Sequence, residues 1–359
     1  HLMEWFPIGF DAGQLNAETV LEPERFGLNY RPEAMLLYHS NPWWNMPETS
    51  KVEEIFRRMK FIVAIDIHLT ESTQWADVFL PDQTYLESYL LNCLEPPVVT
   101  GHSLRQPVVE PLGDTKDAYE ILTELAQRMG FLDDWNDLLN IVCGFTAQPR
   151  NMLDPNKRYR VEELWDHYAR NIYGDERDLA WFKKHGHAVR YRTPQETYMP
   201  YGNLRIPFYF EFIQRAGEDL GRNLLAAGVT DWPLDNYRPL PYWKNSQVIE
   251  DGRRGFEFYA ITFKESLHTF ADTLVMPWLS EVSEKDPVHQ GILVNTATAR
   301  RLGVQTGERI RLTSPADSIE GVVQCVEGIH PQVFGVSNAI TREFVTNRLT
   351  SAKKTHFNR

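Results

Sequence analysis

The sequence predicts a mixed α/β protein in which an α/β domain is followed by a small β-barrel. Residues 35–87 contain two short apolar strands, Met35–Tyr38 and Phe61–Ile65, joined by one amphipathic helix over Thr49–Met59. From Phe256 onward, short apolar strands alternate with turns that contain glycine, which is typical of a small barrel. The two patterns occupy opposite ends of the chain, so they predict two separate domains.

Polar residues follow each of the two predicted strands. In an open α/β sheet, ligands bind in the crevice at the carboxyl ends of the strands. The first domain is therefore predicted to be Rossmann-like and to bind a nucleotide there. The candidate residues are Ser40, Asn41, Asp66, His68 and Thr70. The alternative is that Asn41 and Asp66 only cap turns and helix starts.

Helical periodicity and end signals predict three further features. Thr49 or Ser50 is placed to cap the helix that ends at Met59. A second amphipathic helix is predicted over Asp117–Met129, before Gly130, and a third helical stretch over Val161–Lys184 with a break at Gly174. The first thirty residues, rich in Pro and Gly, are predicted to be loop.

Composition excludes several classes of function. The 359 residues are 42% hydrophobic and 24% charged, which is typical of a folded chain with sizeable cores. A net charge of −12 argues against a nucleic-acid partner, and no apolar run is long enough for direct membrane insertion. Cys93, Cys143 and Cys325 form no C-x-x-C pair, so local spacing predicts no metal or iron–sulfur site. Common hydrolase and phosphate-loop motifs are absent.

Several linked motifs resemble one family. N-P after the first strand, then I-D-I-H-L-T-E-S and A-D-V-F-L-P-D-Q-T-Y-L-E, resemble the third domain of molybdopterin oxidoreductases of the dimethyl sulfoxide reductase family. The pattern N-x-x-x-A-x-x-L-G-V-x-x-G-E-x-I-x-L-x-S and the closing T-H-F-N are similar to the family's final domain, a double-psi-like barrel. Within the family, the chain resembles the thiosulfate, polysulfide and arsenate reductase group most, through the segments N-P-W-W-N-M-P-E-T-S-K-V-E-E-I-F, L-R-Q-P-V-V-E-P-L-G-D-T-K and Y-G-N-L-R-I-P-F-Y.

The resemblance implies the domain organisation. Residues 1–150 correspond to the α/β dinucleotide-binding domain, 151–250 to a helical and extended connecting region, and 251–359 to the C-terminal barrel. Because the chain starts at His1 and family members are much longer, we expect a fragment. The 4Fe-4S cluster and the metal's protein ligand are expected upstream, so the fragment alone is expected to be inactive.

The resemblance also implies the cofactor, bis-molybdopterin guanine dinucleotide with molybdenum or tungsten. Asn41 and Asn45 are expected near the phosphates and ribose, Asp66, His68 and Thr70 in the nucleotide crevice, and Asp82 at guanine. The candidates that face the pterin are Thr262, Lys264, Glu265 and His268, with Asn358 closing the site. Arg105 could reach the cofactor or an anionic substrate, but the interpretation that the sequence favours is a solvent-exposed or structural arginine.

The function that this family implies is transfer of two electrons or an oxygen atom to or from a small inorganic, sulfur or arsenic oxyanion-type substrate. The implied partners are an iron–sulfur electron-transfer subunit and a membrane anchor subunit. A periplasmic location is expected from the same group. A non-catalytic cofactor-binding or assembly module, or a structural paralogue without the metal, is the alternative.

Overall fold

The computed structural model describes residues 16–46, 48–94, 98–197, 209–246, 249, 255–264, 266–269, 273, 276–283, 285–286, 288, 291–315 and 317–338. The helices of these segments are α1 (Asn16–Leu21), α2 (Pro42–Asn45), α3 (Thr49–Arg58), α4 (Ala118–Met129), α5 (Leu132–Val142), α6 (Val161–Tyr173), α7 (Leu179–His185), α8 (Glu211–Ala226), α9 (Pro277–Ser283) and α10 (Thr296–Leu302). Short 3-10 turns cover Pro23–Phe26, Thr73–Trp75, Phe145–Ala147, Pro149–Asn151 and Asp175–Arg177.

The strands form three sheets. They are β1 (Ala34–Tyr38), β2 (Phe61–Asp66), β3 (Val78–Pro81), β4 (Leu90–Leu94), β5 (Val99–Arg105), β6 (His187–Tyr191), β7 (Tyr259–Phe263), β8 (Ile292–Asn295), β9 (Arg309–Thr313), β10 (Ser318–Val326) and β11 (Val333–Ser337). The sheet orders are β1-β2-β3, β4-β5-β6 and β7-β11-β8-β10-β9. Strands and helices therefore alternate most regularly in the first part of the chain.

The first sheet is entirely parallel and confirms the two strands expected from the sequence. Leu37 lies opposite Ala64, and Ile65 opposite Leu80. Apolar side chains from α2 and α3 cover one face and form a core with the strands, in which Trp43, Trp44, Val52, Phe56, Ile62 and Ala64 are buried. Three parallel strands are a mixed α/β arrangement, and the Rossmann-like assignment stays a prediction.

The predicted helices are present, with two corrections. Helix α4 begins after Asp117 and ends at Gly130, whose φ of +84° is the left-handed conformation that glycine favours. Helix α3 begins at Thr49, but Glu48 is its N-cap residue and no side chain caps it, so the cap predicted at Thr49 or Ser50 is wrong. The first thirty residues are not all loop either, because residues 16–21 form α1.

The second sheet joins the predicted first domain to part of the predicted connecting region. Strand β6 pairs antiparallel with β5, and Ser103 lies opposite His187. Gly174 separates α6 from the short helical segments that lead into α7, as expected. Side chains of both helices pack on this sheet, where Ala169 and Phe182 are fully buried. Residues 161–191 thus pack against elements on the other side of the predicted boundary at residue 150.

The third sheet is mixed and curled. Strand β10 is parallel to β8 and antiparallel to β9, while β11 is parallel to β7 and antiparallel to β8. Its core contains Ile292, Val294, Val323 and Phe334. Residues of both edge strands, β7 and β9, line one cavity of about 350 Å³. The described part of the predicted barrel is therefore a half-closed, curled sheet.

Candidate functional site

The carboxyl ends of β1, β2 and β3 lie side by side and form the edge of the candidate crevice. Asp66 ends β2 opposite Pro81, and the Asp82 backbone N–H donates to the Asp66 carbonyl across 3.0 Å. The two side chains are nearly inaccessible, with 8% of Asp66 and 6% of Asp82 exposed. Parallel pairing in this register therefore brings two buried carboxylates together at one edge, as the sequence predicted.

A third carboxylate comes from the start of α4. The Lys116 N–H donates to the Pro81 carbonyl at 3.1 Å, which places the first residues of α4 at the end of β3. Asp117 caps α4 by accepting the Tyr119 N–H at 2.9 Å. Burial, with the charge of Asp82 adding to it, raises the pKa of Asp117 to about 6. Asp117 is thus a carboxyl group whose charge changes within a physiological pH range.

Electrostatics confirm that the three carboxylates share one neighbourhood. Burial and the charges of Asp82, Asp117 and Asp66 together raise the pKa of Tyr38. Burial also raises the pKa of Asp66, against the hydrogen bonds that its Oδ1 accepts from the N–H groups of Ile67 and His68. The crevice therefore has an acceptor-rich, acidic wall.

His39 pairs with this wall. Its Nε2 lies 2.8 Å from Asp82 Oδ2, and the Gln83 N–H donates to Asp82 Oδ1 at 2.7 Å. The backbone φ of His39 is +43°, an uncommon left-handed conformation for a histidine. Its ring contacts the Tyr38 ring with centroids 4.6 Å apart. Both oxygens of Asp82 thus have partners within the chain.

Two of the predicted residues, Asn41 and Thr70, form hydrogen bonds within the loops that follow β1 and β2. Asn41 Nδ2 donates to Glu71 Oε2 at 2.8 Å, and Ser72 Oγ donates to Asn41 Oδ1 at 2.7 Å. Thr70 Oγ1 bonds with Thr73, both through the hydroxyl at 3.2 Å and through the Thr73 N–H at 3.1 Å. In this arrangement Asn41 and Thr70 stabilise the loops that frame the crevice.

The remaining predicted residues of this domain differ in their exposure to solvent. Ser40 and Asn45 are exposed, and His68 is half-buried. Arg105 Nη2 donates to Ser88 Oγ at 3.0 Å, while its buried Nε has no hydrogen-bond partner. Arg105 lies close enough to lower the pKa of Asp117, so its guanidinium group lies near the acidic wall.

The predicted pterin-facing residues belong to the third sheet and the segment after it. Thr262 and Lys264 are exposed, at the end of β7 and just beyond it. Glu265 and Asn358 lie outside the described residues. These positions form a second candidate region, on a different sheet from the acidic wall.

His268 is buried in its own network. Ser283 Oγ lies 2.5 Å from His268 Nε2 and itself donates to the Leu279 carbonyl at 2.7 Å, so the imidazole Nε2 is the donor to Ser283. Thr273 Oγ1, 3.2 Å from Nδ1, accepts the Thr269 N–H and supplies the other contact. With 6% of the residue exposed, His268 has both ring nitrogens occupied by this segment.

Sequence reasoning missed His39 and Asp117 as site residues. His39 is the first residue after β1, and the strand-end rule that selected Ser40 also applies to it. The sequence identifies Asp117 only as the start of a helix, far along the chain from Asp82. Its place in the crevice depends on the backbone contact between Lys116 and Pro81, which no local pattern encodes.

The site's chemistry fits a dinucleotide. Buried carboxylates can accept the N–H groups of a guanine edge, and the guanidinium of Arg105 supplies a nearby positive charge for an anionic group. Within the described residues, no group of three His, Cys, Asp or Glu side chains could hold a metal ion. Nor is any described helix long and apolar enough to cross a membrane.

Comparison with known proteins gives two family matches. Residues 13–128 match the model for molybdopterin oxidoreductase, and residues 259–358 match the "Molydopterin dinucleotide binding domain". The two matched regions contain the acidic wall and the third sheet, respectively.

Similarity to individual proteins extends over most of the chain. The chain is 24% identical over 314 residues to the thiosulfate reductase molybdopterin-containing subunit PhsA of Salmonella typhimurium, covering 86% of this chain and 38% of that protein. It is 23% identical over 327 residues to the arsenate respiratory reductase subunit ArrA of a Shewanella species, covering 84% of this chain and 38% of that protein. Among solved structures, acetylene hydratase from Pelobacter acetylenicus shares the fold, with a TM-score of 0.60 and 18% identity over 90% of this chain and 39% of that one. The chain thus spans under two-fifths of these relatives.

Proposed function

Because the chain belongs to the molybdopterin oxidoreductase family and carries its dinucleotide-binding domain, we propose that it is part of the catalytic subunit of a molybdenum or tungsten oxidoreductase. In this proposal, the crevice at β1–β3 binds one guanine nucleotide of a bis-molybdopterin guanine dinucleotide. The observation that carries the proposal is the convergence of Asp66, Asp82 and Asp117 at the carboxyl ends of parallel strands.

Each residue of the crevice then has a defined task. Asp82 and Asp117 accept the N–H groups of the guanine edge, because a carboxylate offers two acceptors that match neighbouring donors. The guanidinium of Arg105 supplies a positive charge near Asp117 for a phosphate, because a charge-assisted hydrogen bond is roughly twice as strong as a neutral one. The loops tied together by Asn41 and Thr70 keep the crevice in shape.

The third sheet supplies the opposite side of the cofactor in this proposal. Lys264, exposed just after β7, has the reach to place a cation against a phosphate or pterin oxygen. The bound group itself supplies the electron and oxygen-atom chemistry, and the protein orients it and tunes its potential. Since His268 is satisfied by Ser283 and Thr273, we assign it to holding the segment that follows Lys264.

The substrate class and the partners are proposed from the relatives. The names of the thiosulfate and arsenate reductase subunits support a sulfur or arsenic oxyanion as substrate. An iron–sulfur electron-transfer subunit, a membrane anchor subunit and a periplasmic location belong to the same proposal. A 4Fe-4S cluster would lie outside these residues.

The direct test is cofactor analysis of the full-length parent protein, purified from a host that makes the cofactor. We expect about one molybdenum or tungsten atom and about two guanine nucleotides released per denatured chain. Asp82→Asn, which removes one carboxylate and preserves the shape, should lower the nucleotide count, whereas Asp114→Asn at an exposed position should not. A well-folded protein without metal and nucleotide would instead identify a structural paralogue.

A further inference from the structure

We propose that His39 gates the base-binding crevice. Its imidazole covers Asp82 and turns away when a base with two adjacent N–H donors binds that carboxylate. The inference rests on the proposed function, since it assumes that Asp82 recognises the base. It adds a residue that controls access and makes base binding depend on pH.

The first support is the difference in exposure between the two partners. The His39 side chain is 46% exposed, whereas the Asp82 side chain is 6% exposed. Asp82 Oδ1 is held from its own chain by the Gln83 N–H, so Oδ2 is the oxygen that His39 occupies. The imidazole is thus the exposed partner of this pair, and it occupies the oxygen that a ligand of Asp82 would need.

The second support is the backbone of His39. Its N–H donates to the Ile65 carbonyl at 3.1 Å, so the backbone is anchored to the neighbouring strand. Opening the gate in this proposal is a rotation of the His39 side chain away from Asp82, with the backbone kept in place. A left-handed φ at a residue other than glycine is costly and is found where a site needs that side chain in place.

The third support is the charge around the imidazole. Asp82 pairs with the imidazole, the Tyr38 ring contacts it, and its charge acts on Asp66. The other charged or titratable groups of this neighbourhood, which act on Tyr38, Asp66 or Asp117, are Asp117, Glu120, His68 and Arg105. Three carboxylates in one crevice repel one another, and an imidazolium offsets part of that repulsion. Protonated His39 therefore favours the closed state, and its deprotonation favours base binding.

The test measures guanosine binding to the full chain by calorimetry at pH 6 and pH 8. His39→Asn keeps a residue that tolerates the left-handed backbone, but its amide reaches only as far as Nδ1 and so cannot cover Asp82. His39→Gln places an uncharged N–H donor at the position of Nε2. We expect His39→Asn to bind guanosine about tenfold more tightly than wild type at pH 6, the effect of losing one competing charged hydrogen bond.

The pH dependence separates the charge of His39 from that of Asp117. The imidazolium competes for Asp82 more strongly than the neutral ring does, so wild-type affinity should rise from pH 6 to pH 8 as His39 loses its charge. Asp117 contributes its own rise over this range in every variant. The rise in wild type should therefore exceed that in both His39→Asn and His39→Gln. Adenosine, which lacks two adjacent donors, should gain nothing from His39→Asn.

Three results would count against these ideas in different ways. Equal or weaker guanosine binding by His39→Asn, with Asp82→Asn abolishing binding, overturns the gate and leaves the proposed function intact. Binding that Asp82→Asn does not alter overturns the assignment of the base site. Failure of wild type and His39→Asn alike to bind guanosine overturns both the base site and the gate.

Discussion

Asn41 Nδ2 donates to Glu71 Oε2 across 2.8 Å and so connects the loop after β1 to the loop after β2. Glu71 is fully buried, so its carboxylate depends on hydrogen bonds inside the protein. We expect Asn41→Ala to lower the free energy of unfolding by roughly 1–3 kcal/mol, because a buried acceptor loses a donor. Urea denaturation of the chain measures this change.

Asn45 is the matched control for Asn41. It is an asparagine four residues later in the same segment, and it is exposed. Asn45→Ala should change the free energy of unfolding by no more than about 0.5 kcal/mol. Equal effects of the two substitutions would show that the bond to Glu71 contributes no stability.

Asp117 should make the folded chain less stable as pH rises. Its folded-state pKa of about 6 lies above the ordinary value of 3.8, so the folded chain holds this proton more tightly than the unfolded chain does. The stabilisation is complete below pH 4 and is lost as pH rises through about 6. Asp117→Asn keeps an N-cap side chain, and at pH 7 it should be more stable than wild type by an amount on the order of 2 kcal/mol.

Thermal unfolding at pH 4 and pH 7 tests this assignment. Wild type and Asp117→Asn should differ at pH 7 and converge at pH 4, where the wild-type carboxyl is already protonated. Asp114→Asn, at an exposed position nearby, should follow wild type at both values. A constant difference between Asp117→Asn and wild type at both pH values would show that Asp117 does not titrate in this range.

Local elements could be predicted from the sequence because their signals are local. The apolar runs of β1 and β2, the periodicity of α3 and α4, and the stop at Gly130 each depend on residues within a few positions. The strand-end rule selects Asp66, and the family resemblance selects Asp82. The structure places the two residues side by side at the ends of β2 and β3.

Partners that are distant in sequence could not be predicted in the same way. His39 and Asp82 are 43 positions apart, and Asn41 and Glu71 are 30 apart. The sequence offers several possible hydrogen-bond partners for each of these polar groups, and only the folded loops select one of them. The order of strands in the third sheet likewise depends on pairing between distant segments. The alternation of apolar strands with glycine-containing turns therefore predicts the strands, but it does not predict which strands pair.

Gly101 allows β5 and β6 to pair closely. A Cβ at this position would lie 2.1 Å from the Ala188 carbonyl oxygen, a backbone atom that cannot move without disturbing the sheet. Gly101→Ala should destabilise the chain by roughly 2–3 kcal/mol through this clash. Gly328→Ala is the matched control, since a Cβ there meets nothing within 4 Å. Chemical denaturation of both variants distinguishes a steric cause from the general effect of adding a methyl group.

Lys264 should help to retain the cofactor in the full-length parent. It is exposed just after β7 and can place a cation against an anionic group. Lys264→Ala removes one charge-assisted bond, so cofactor retention should weaken by roughly tenfold. Lys60→Ala is the matched control, because this exposed lysine pairs with Glu33 at the other end of the first sheet. Guanine nucleotide and metal remaining after extended dialysis measure retention, and unchanged content in Lys264→Ala would remove this residue from the cofactor site.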